Sequence, residues 1–172
     1  DVRAQPVSLT MLSRAYPLHL QGLMSGPIRA QGTTDSLRLV MDLQGPAGRF
    51  SYDGTVDAYP LSIAARGRGR VEALDLRALT DLESAPNAWL TGDYEVAVRA
   101  DTSDLGTMVG DAALQVERAE FDSMRVFPSQ LRVRFADRRM YVDTLRIEST
   151  GGRITATGAM GLADRTSDSL QY

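Results

Sequence analysis

The sequence predicts an all-β fold, built mainly from antiparallel strands with one or two short helices. Three observations lead there. Apolar residues recur with period two through most of the chain, so each segment has one apolar and one polar face. Turn-forming pairs punctuate these segments: Gly45-Pro46, Tyr59-Pro60, Pro86-Asn87, Phe127-Pro128 and Gly151-Gly152. Helical spacing is scarce. One-sided alternation belongs to antiparallel sheets, because parallel strands covered on both faces read as continuous apolar runs.

Taken in order, 7–15 is expected to form a short helix after Pro6, followed by a strand at 28–33. Leu37, Leu39, Met41 and Leu43 then alternate with Arg38 and Asp42 in a second strand. Strands follow at 48–58 and 61–74. Asp75 is positioned to cap a helix over 75–82, where Leu76, Leu79 and Leu82 share helical spacing. Tyr94, Val96, Val98 and Ala100 alternate with Asp93, Glu95 and Arg99. A weaker helical turn is expected at 102–108, capped by Thr102, Ser103 or Asp104. A strand at 110–120 precedes the alternating Leu131, Val133 and Phe135. Asp137-Arg138 is a poor turn signal, but it separates two alternating runs. In 138–149 the series Met140, Val142, Leu145, Ile147 slips phase near Thr144, which predicts a β-bulge. The last strand covers 152–160. There is also an internal echo: Gly48-Arg49-Phe50-Ser51-Tyr52-Asp53-Gly54 is similar to Gly152-Arg153-Ile154-Thr155-Ala156-Thr157-Gly158.

The 172 residues fit one domain or a slice of a longer quasi-repetitive protein, and the start Asp1-Val2-Arg3 favours the slice. A net charge of −3 leaves no uncompensated basic surface for nucleic acid. All 19 basic residues are arginine, which fits either a GC-rich genome or phosphate recognition by guanidinium forks. Absence of cysteine excludes disulfides, thiolate metal sites and a cysteine nucleophile. No apolar run approaches the ~18 residues of a spanning helix.

Enzymatic chemistry finds no foothold in the residues, so the expectation is a non-enzyme without cofactor or metal. The single histidine, His19, sits between Leu18 and Leu20, and no Gly-x-Ser-x-Gly elbow accompanies it. One histidine without cysteine makes zinc binding improbable. Asp53, Asp57, Asp101, Asp104, Asp111, Glu117, Glu120 and Asp122 fall on polar strand faces or in turns. There they stay ionised and solvated, unlike a glycosidase pair. Gly67-Arg68-Gly69-Arg70 lacks the strand–loop–helix setting and Lys-Ser/Thr ending of a phosphate loop. Arg66, Arg68 and Arg70 read as the polar face of a strand, or as an arginine row drawing anionic head groups to a rim.

Three stretches carry a family resemblance: Leu18-His19-Leu20-Gln21-Gly22-Leu23-Met24-Ser25-Gly26-Pro27-Ile28, Val71-Glu72-Ala73-Leu74-Asp75-Leu76-Arg77-Ala78-Leu79, and Tyr141 to Gly152 followed by Ala156-Thr157-Gly158. Together they resemble the AsmA-like superfamily, in particular the C-terminal domain of the TamB family of translocation and assembly module subunits. The likeness spans roughly 18 to 162 and rests on residue class rather than fixed catalytic residues. It implies an elongated sheet curled lengthwise into a β-taco-like groove with an apolar inner wall. It also implies a Gram-negative periplasmic location, with the full-length protein anchored in the inner membrane. The implied roles are phospholipid transport between membranes and support of outer-membrane protein assembly, with acyl chains and an outer-membrane assembly barrel as partners.

On that reading the groove candidates are Leu37, Leu39, Met41, Leu43, Tyr94, Val96, Val98, Leu114, Val116, Leu131, Val133 and Phe135. Periodicity alone also suits a closed core, and Trp89 suits either a trough cap or a local core. A non-catalytic scaffold that binds the assembly barrel by adding a strand to its edge is the alternative function. A surface adhesin or carbohydrate-active protein is the third, though the aromatic platforms and calcium loops it needs are missing.

Overall fold

The computed structural model describes residues 2–8, 21–33, 35–59, 62–80, 87–101, 104–122, 124–162 and 169–171. In chain order the elements are β1 (Val2–Ser8), β2 (Leu23–Thr33), β3 (Ser36–Gly45), β4 (Gly48–Tyr59) and β5 (Ser62–Asp75). A one-turn helix α1 (Leu76–Leu79) and β6 (Ala88–Asp101) follow, then a 3-10 turn at Leu105–Thr107 and β7 (Val109–Phe121). The chain continues through β8 (Met124–Val126), β9 (Ser129–Ala136), β10 (Arg139–Ser149), β11 (Gly152–Gly161) and β12 (Ser169–Gln171).

These strands form one curled sheet in which almost every strand lies beside its predecessor, and every described pairing is antiparallel. The described strands do not close on themselves, since the order runs from β1 at one edge to β12 at the other. The mixed alternative for the sheet therefore drops out. Most neighbours are antiparallel because their connections are only a few residues long, too short for parallel crossovers; the longer links before β2 and β6 join antiparallel neighbours as well.

Local chemistry explains the junctions. Asp75 caps α1, its Oδ1 accepting from the backbone N–H groups of Arg77 and Ala78 at 2.9 and 3.0 Å. The bulge expected near Thr144 is present: β10 slips register between Val142 and Thr144 against β9. That slip returns Leu145 to the face of Val142. Asp137 and Arg138 both adopt left-handed backbone, at φ 52° and 59°, as a two-residue type I′ hairpin requires. The echoed segments open β4 and β11 in the same way, each with a glycine in left-handed backbone after a tight turn (Gly48 φ 113°, Gly152 φ 126°).

Several expectations need correction. Val7 and Ser8 belong to β1 rather than to a helix, and the remainder of 7–15 lies outside the described residues, as do His19 and Leu82. The sequence hides β1 because Pro6 interrupts it; register against β2 shifts between Ala4 and Val7, where proline's missing N–H costs no ladder bond. The weak helical turn expected at 102–108 is present as a single 3-10 turn, with Asp104 accepting from the N–H of Gly106 at 2.8 Å, while Thr102 and Ser103 lie outside the described residues. Phe127-Pro128 reverses nothing. It interrupts one strand path, because β8 and β9 pair with the same neighbours, β7 and β10.

The best-buried apolar cluster lies at the α1 end of the sheet, where Met24 and Leu43 pack with Ile28, Met41, Phe50 and Leu79. Elsewhere apolar side chains rest on a single layer. No large side chain among the described residues is fully buried.

Candidate functional site

Register places residues directly opposite one another on the same face, and four cross-strand rows assemble one apolar surface. One row runs Ile28, Met41, Tyr52, Gly69, Tyr94, Leu114, Leu131, Leu145, Ala156 from β2 to β11. Beside it runs Ala30, Leu39, Gly54, Gly67, Val96, Ala112, Val133, Val142, Gly158. Further out lies Leu37, Val56, Ala65, Val98, Gly110, Phe135, Met140, Met160. On the α1 side lies Leu43, Phe50, Val71, Gly92, Val116.

All twelve groove candidates fall in these rows. Leu43 and Val133 are buried, and the other ten are half-buried. Their packing comes from neighbours on the same face. Of the described elements, α1 touches this surface only at its end, through Leu79.

Sequence reasoning named Tyr94 but missed Phe50 and Tyr52, which complete the aromatic centre of this face. Tyr52 is 6% exposed and its hydroxyl donates to the Thr55 carbonyl at 3.0 Å. A Cβ on Gly67 would lie 2.7 Å from its ring, so the absent side chain is what lets the ring lie flat. Tyr94 covers Gly69 in the same manner, and its hydroxyl donates to the Ser51 carbonyl at 2.7 Å, two strands away. The Tyr94 ring also stacks on Phe50, centroids 5.6 Å apart. Burial pushes both phenols above their ordinary range, Tyr94 more than Tyr52. The available signal was the alternation of Phe50, Tyr52, Gly54 and Val56, with glycine occupying apolar positions.

The opposite face is charged and internally paired. Arg70 is a hub: its guanidinium donates to Glu72 at 3.1 Å, to both Asp93 oxygens at 3.1 Å, and to Glu117 at 2.6 and 2.8 Å. Arg49 grips Asp42 with two bonds at 2.5 and 2.7 Å, and Arg38 pairs with Asp53. The arginine hydrogen bonds hold Asp42 and Glu117 below the usual carboxylate range. A shallow trough of about 910 Å³ opens on this face, lined by Arg38, Asp53, Arg66, Arg68, Glu95 and Arg132 among others. Arg66, Arg68 and Arg70 thus sit mid-strand on the charged face, not along a rim of the apolar one. The Gly67–Arg70 stretch lies wholly inside β5.

Trp89 resolves differently from either expectation. It is 45% exposed at the second position of β6, on the charged face in register with Glu120. Among the described residues no group of three or more acidic or histidine side chains is arranged to hold a metal.

The arrangement can offer one continuous aliphatic and aromatic surface, while the paired charges hold the other face in water. No protein-family model, curated protein or solved structure matches the chain.

Proposed function

We propose that this chain is a non-enzymatic segment of an AsmA/TamB-like envelope protein whose apolar face shelters the acyl chains of phospholipids moving across the periplasm. The carrying observation is the four-row face itself, uncovered by a second layer among the described residues. An acyl chain laid on it loses contact with water at about 0.8 kcal/mol per methylene. Apolar residues and glycines repeat in register from strand to strand with no charge among them, so a lipid meets no charged barrier along the sheet and slides rather than lodging. Head groups remain at the margin, and support of outer-membrane protein assembly would follow from delivering lipid there.

Intact-mass measurement of gently purified protein tests this. Phospholipid should co-purify with the wild type and be lost from Val133→Asp, which places a charge within the second row. Lipid-free wild-type protein at adequate sensitivity contradicts the reading.

One observation favours a second reading, the scaffold that takes a partner strand. β12 pairs with β11 only over Thr157–Ala159, so Gly152–Ala156 presents backbone groups that no described strand satisfies. Ile154→Pro should abolish pull-down of an assembly barrel on this reading and leave co-purified lipid unchanged.

A further inference from the structure

The strands run alternately between two ends of the sheet, and exposed apolar side chains are not shared evenly between them. Leu23, Trp89, Phe121, Met124, Phe127 and Ile154 are exposed at the α1 end, against Val109 and Met160 at the other. Four of the six gather at the β7–β8 hairpin. Phe121 and Met124 face each other across its tip, on the same face as the apolar rows, because Phe121 pairs with Ala88 and Ala88 alternates in phase with Val96. Trp89 and Phe127 line a cleft of about 420 Å³ on the other face, with Arg118, Glu120 and Arg125. The tip thus carries exposed apolar side chains on both faces, beside Asp122 at its turn and the charges of the cleft.

We propose that this end of the sheet docks into the interface of a phospholipid bilayer, with the β7–β8 tip inserted and Trp89 at head-group level. Exposed tryptophan, phenylalanine and methionine flanked by arginine are the chemistry of the membrane–water boundary. Arg118 and Arg125 both line the cleft, the charge of Arg118 also felt by Glu117, so the cleft holds two guanidiniums able to meet lipid phosphate. Glu120 lies in register with Trp89 and Arg125, so the cleft presents both signs, as a zwitterionic head group does. Phe121 and Met124 are continuous with the apolar face, so a chain leaving the bilayer reaches the rows without crossing charge. That last step rests on the lipid-carrying reading; the docking does not.

Trp89 is the sole tryptophan, so its fluorescence reports on this end alone. Titration with vesicles of phosphatidylcholine containing a minority of phosphatidylglycerol should shift its emission to the blue and shield it from acrylamide. The triple variant Phe121→Ser/Met124→Ser/Phe127→Ser, checked for native circular dichroism, should lower vesicle partitioning by roughly tenfold or more. Val109→Ser/Met160→Ser, at the other end, should leave it unchanged. Val133→Asp should keep docking while losing carried lipid, which separates the two readings. No spectral shift, equal loss from both ends, or a blue shift that follows protein concentration without vesicles would overturn the proposal. The last result would assign the end to contact with a second copy.

Discussion

Gly67 and Gly69 lie between Arg66, Arg68 and Arg70, and their missing side chains make room for Tyr52 and Tyr94 on the apolar face. A methyl group at position 69 would meet the Tyr94 ring and the Ser51 carbonyl together. Gly69→Ala should therefore cost about 1–3 kcal/mol in denaturant unfolding, as overpacked sites do. Tyr94→Phe removes one hydrogen bond, worth about 0.5–1.5 kcal/mol. It also changes the alkaline limb. The folded-state pKa of Tyr94 is raised by burial, so the unfolded chain releases this proton first, near its ordinary value of 10.0. The contribution is complete below that pH and is lost as pH rises beyond it. Stability of the wild type should fall above pH 10, and Tyr94→Phe should flatten the fall. Ala73 is the converse case, a non-glycine residue in left-handed backbone at φ 47°. Strain of about 1–2 kcal/mol there, less the ~0.5–1 kcal/mol entropic cost of glycine, leaves Ala73→Gly stabilising by about 0.5–1 kcal/mol. The Ala73 N–H bond to the Thr91 hydroxyl survives the change.

Among elements, the β9–β10 hairpin carries two left-handed residues without glycine or asparagine, yet Arg138 also pairs with Asp104 at 2.7 Å. Arg138→Ala loses the pair and keeps the strain, whereas Arg138→Gly loses the pair and relieves it. Thermal unfolding should rank the glycine variant above the alanine variant by about 1 kcal/mol. The Arg70 hub ties β5 to β6 and β7 from the charged face. Glu117 is held below its ordinary 4.5 by Arg70, so its contribution is present above that pH and lost as pH falls through the lowered value. Glu117→Gln should make the acid limb shallower. Most elements were legible because large apolar residues recur at every second position with charges at most of the positions between, as in Leu37–Leu43 and Tyr94–Ala100. The twelve candidates came from such runs, and register brings all of them to one face. β4 and β5 contribute as much of that face, but Gly54, Gly67 and Gly69 occupy its positions and carry no apolar signal. Phe127-Pro128 read as a reversal because proline marks turns and strand interruptions alike. Only the partner strands distinguish them.

At the scale of the whole molecule, alternation could not decide between an open face and a closed core, since both need one apolar side per strand. The sheet order answers part of it: the described strands form one layer, run from edge to edge and leave most of the apolar face half-buried. A closed sandwich would have buried Leu39, Leu114 and Phe135 completely. Ion pairs from Asp42–Arg49 to Arg153–Glu148 hold the other face in water, so the molecule is amphipathic across its thickness. Two adjacent residues of β6 sample the two faces: Val96 in the apolar rows and Ala97 on the charged side, in register with Arg66 and Asp111. The most direct test places a photo-crosslinking amino acid at each position in turn in the presence of diacyl phospholipid. Capture of lipid from position 96 and not from position 97 is the expected result. Equal capture from both positions, or none from position 96, would contradict a lipid-carrying apolar face.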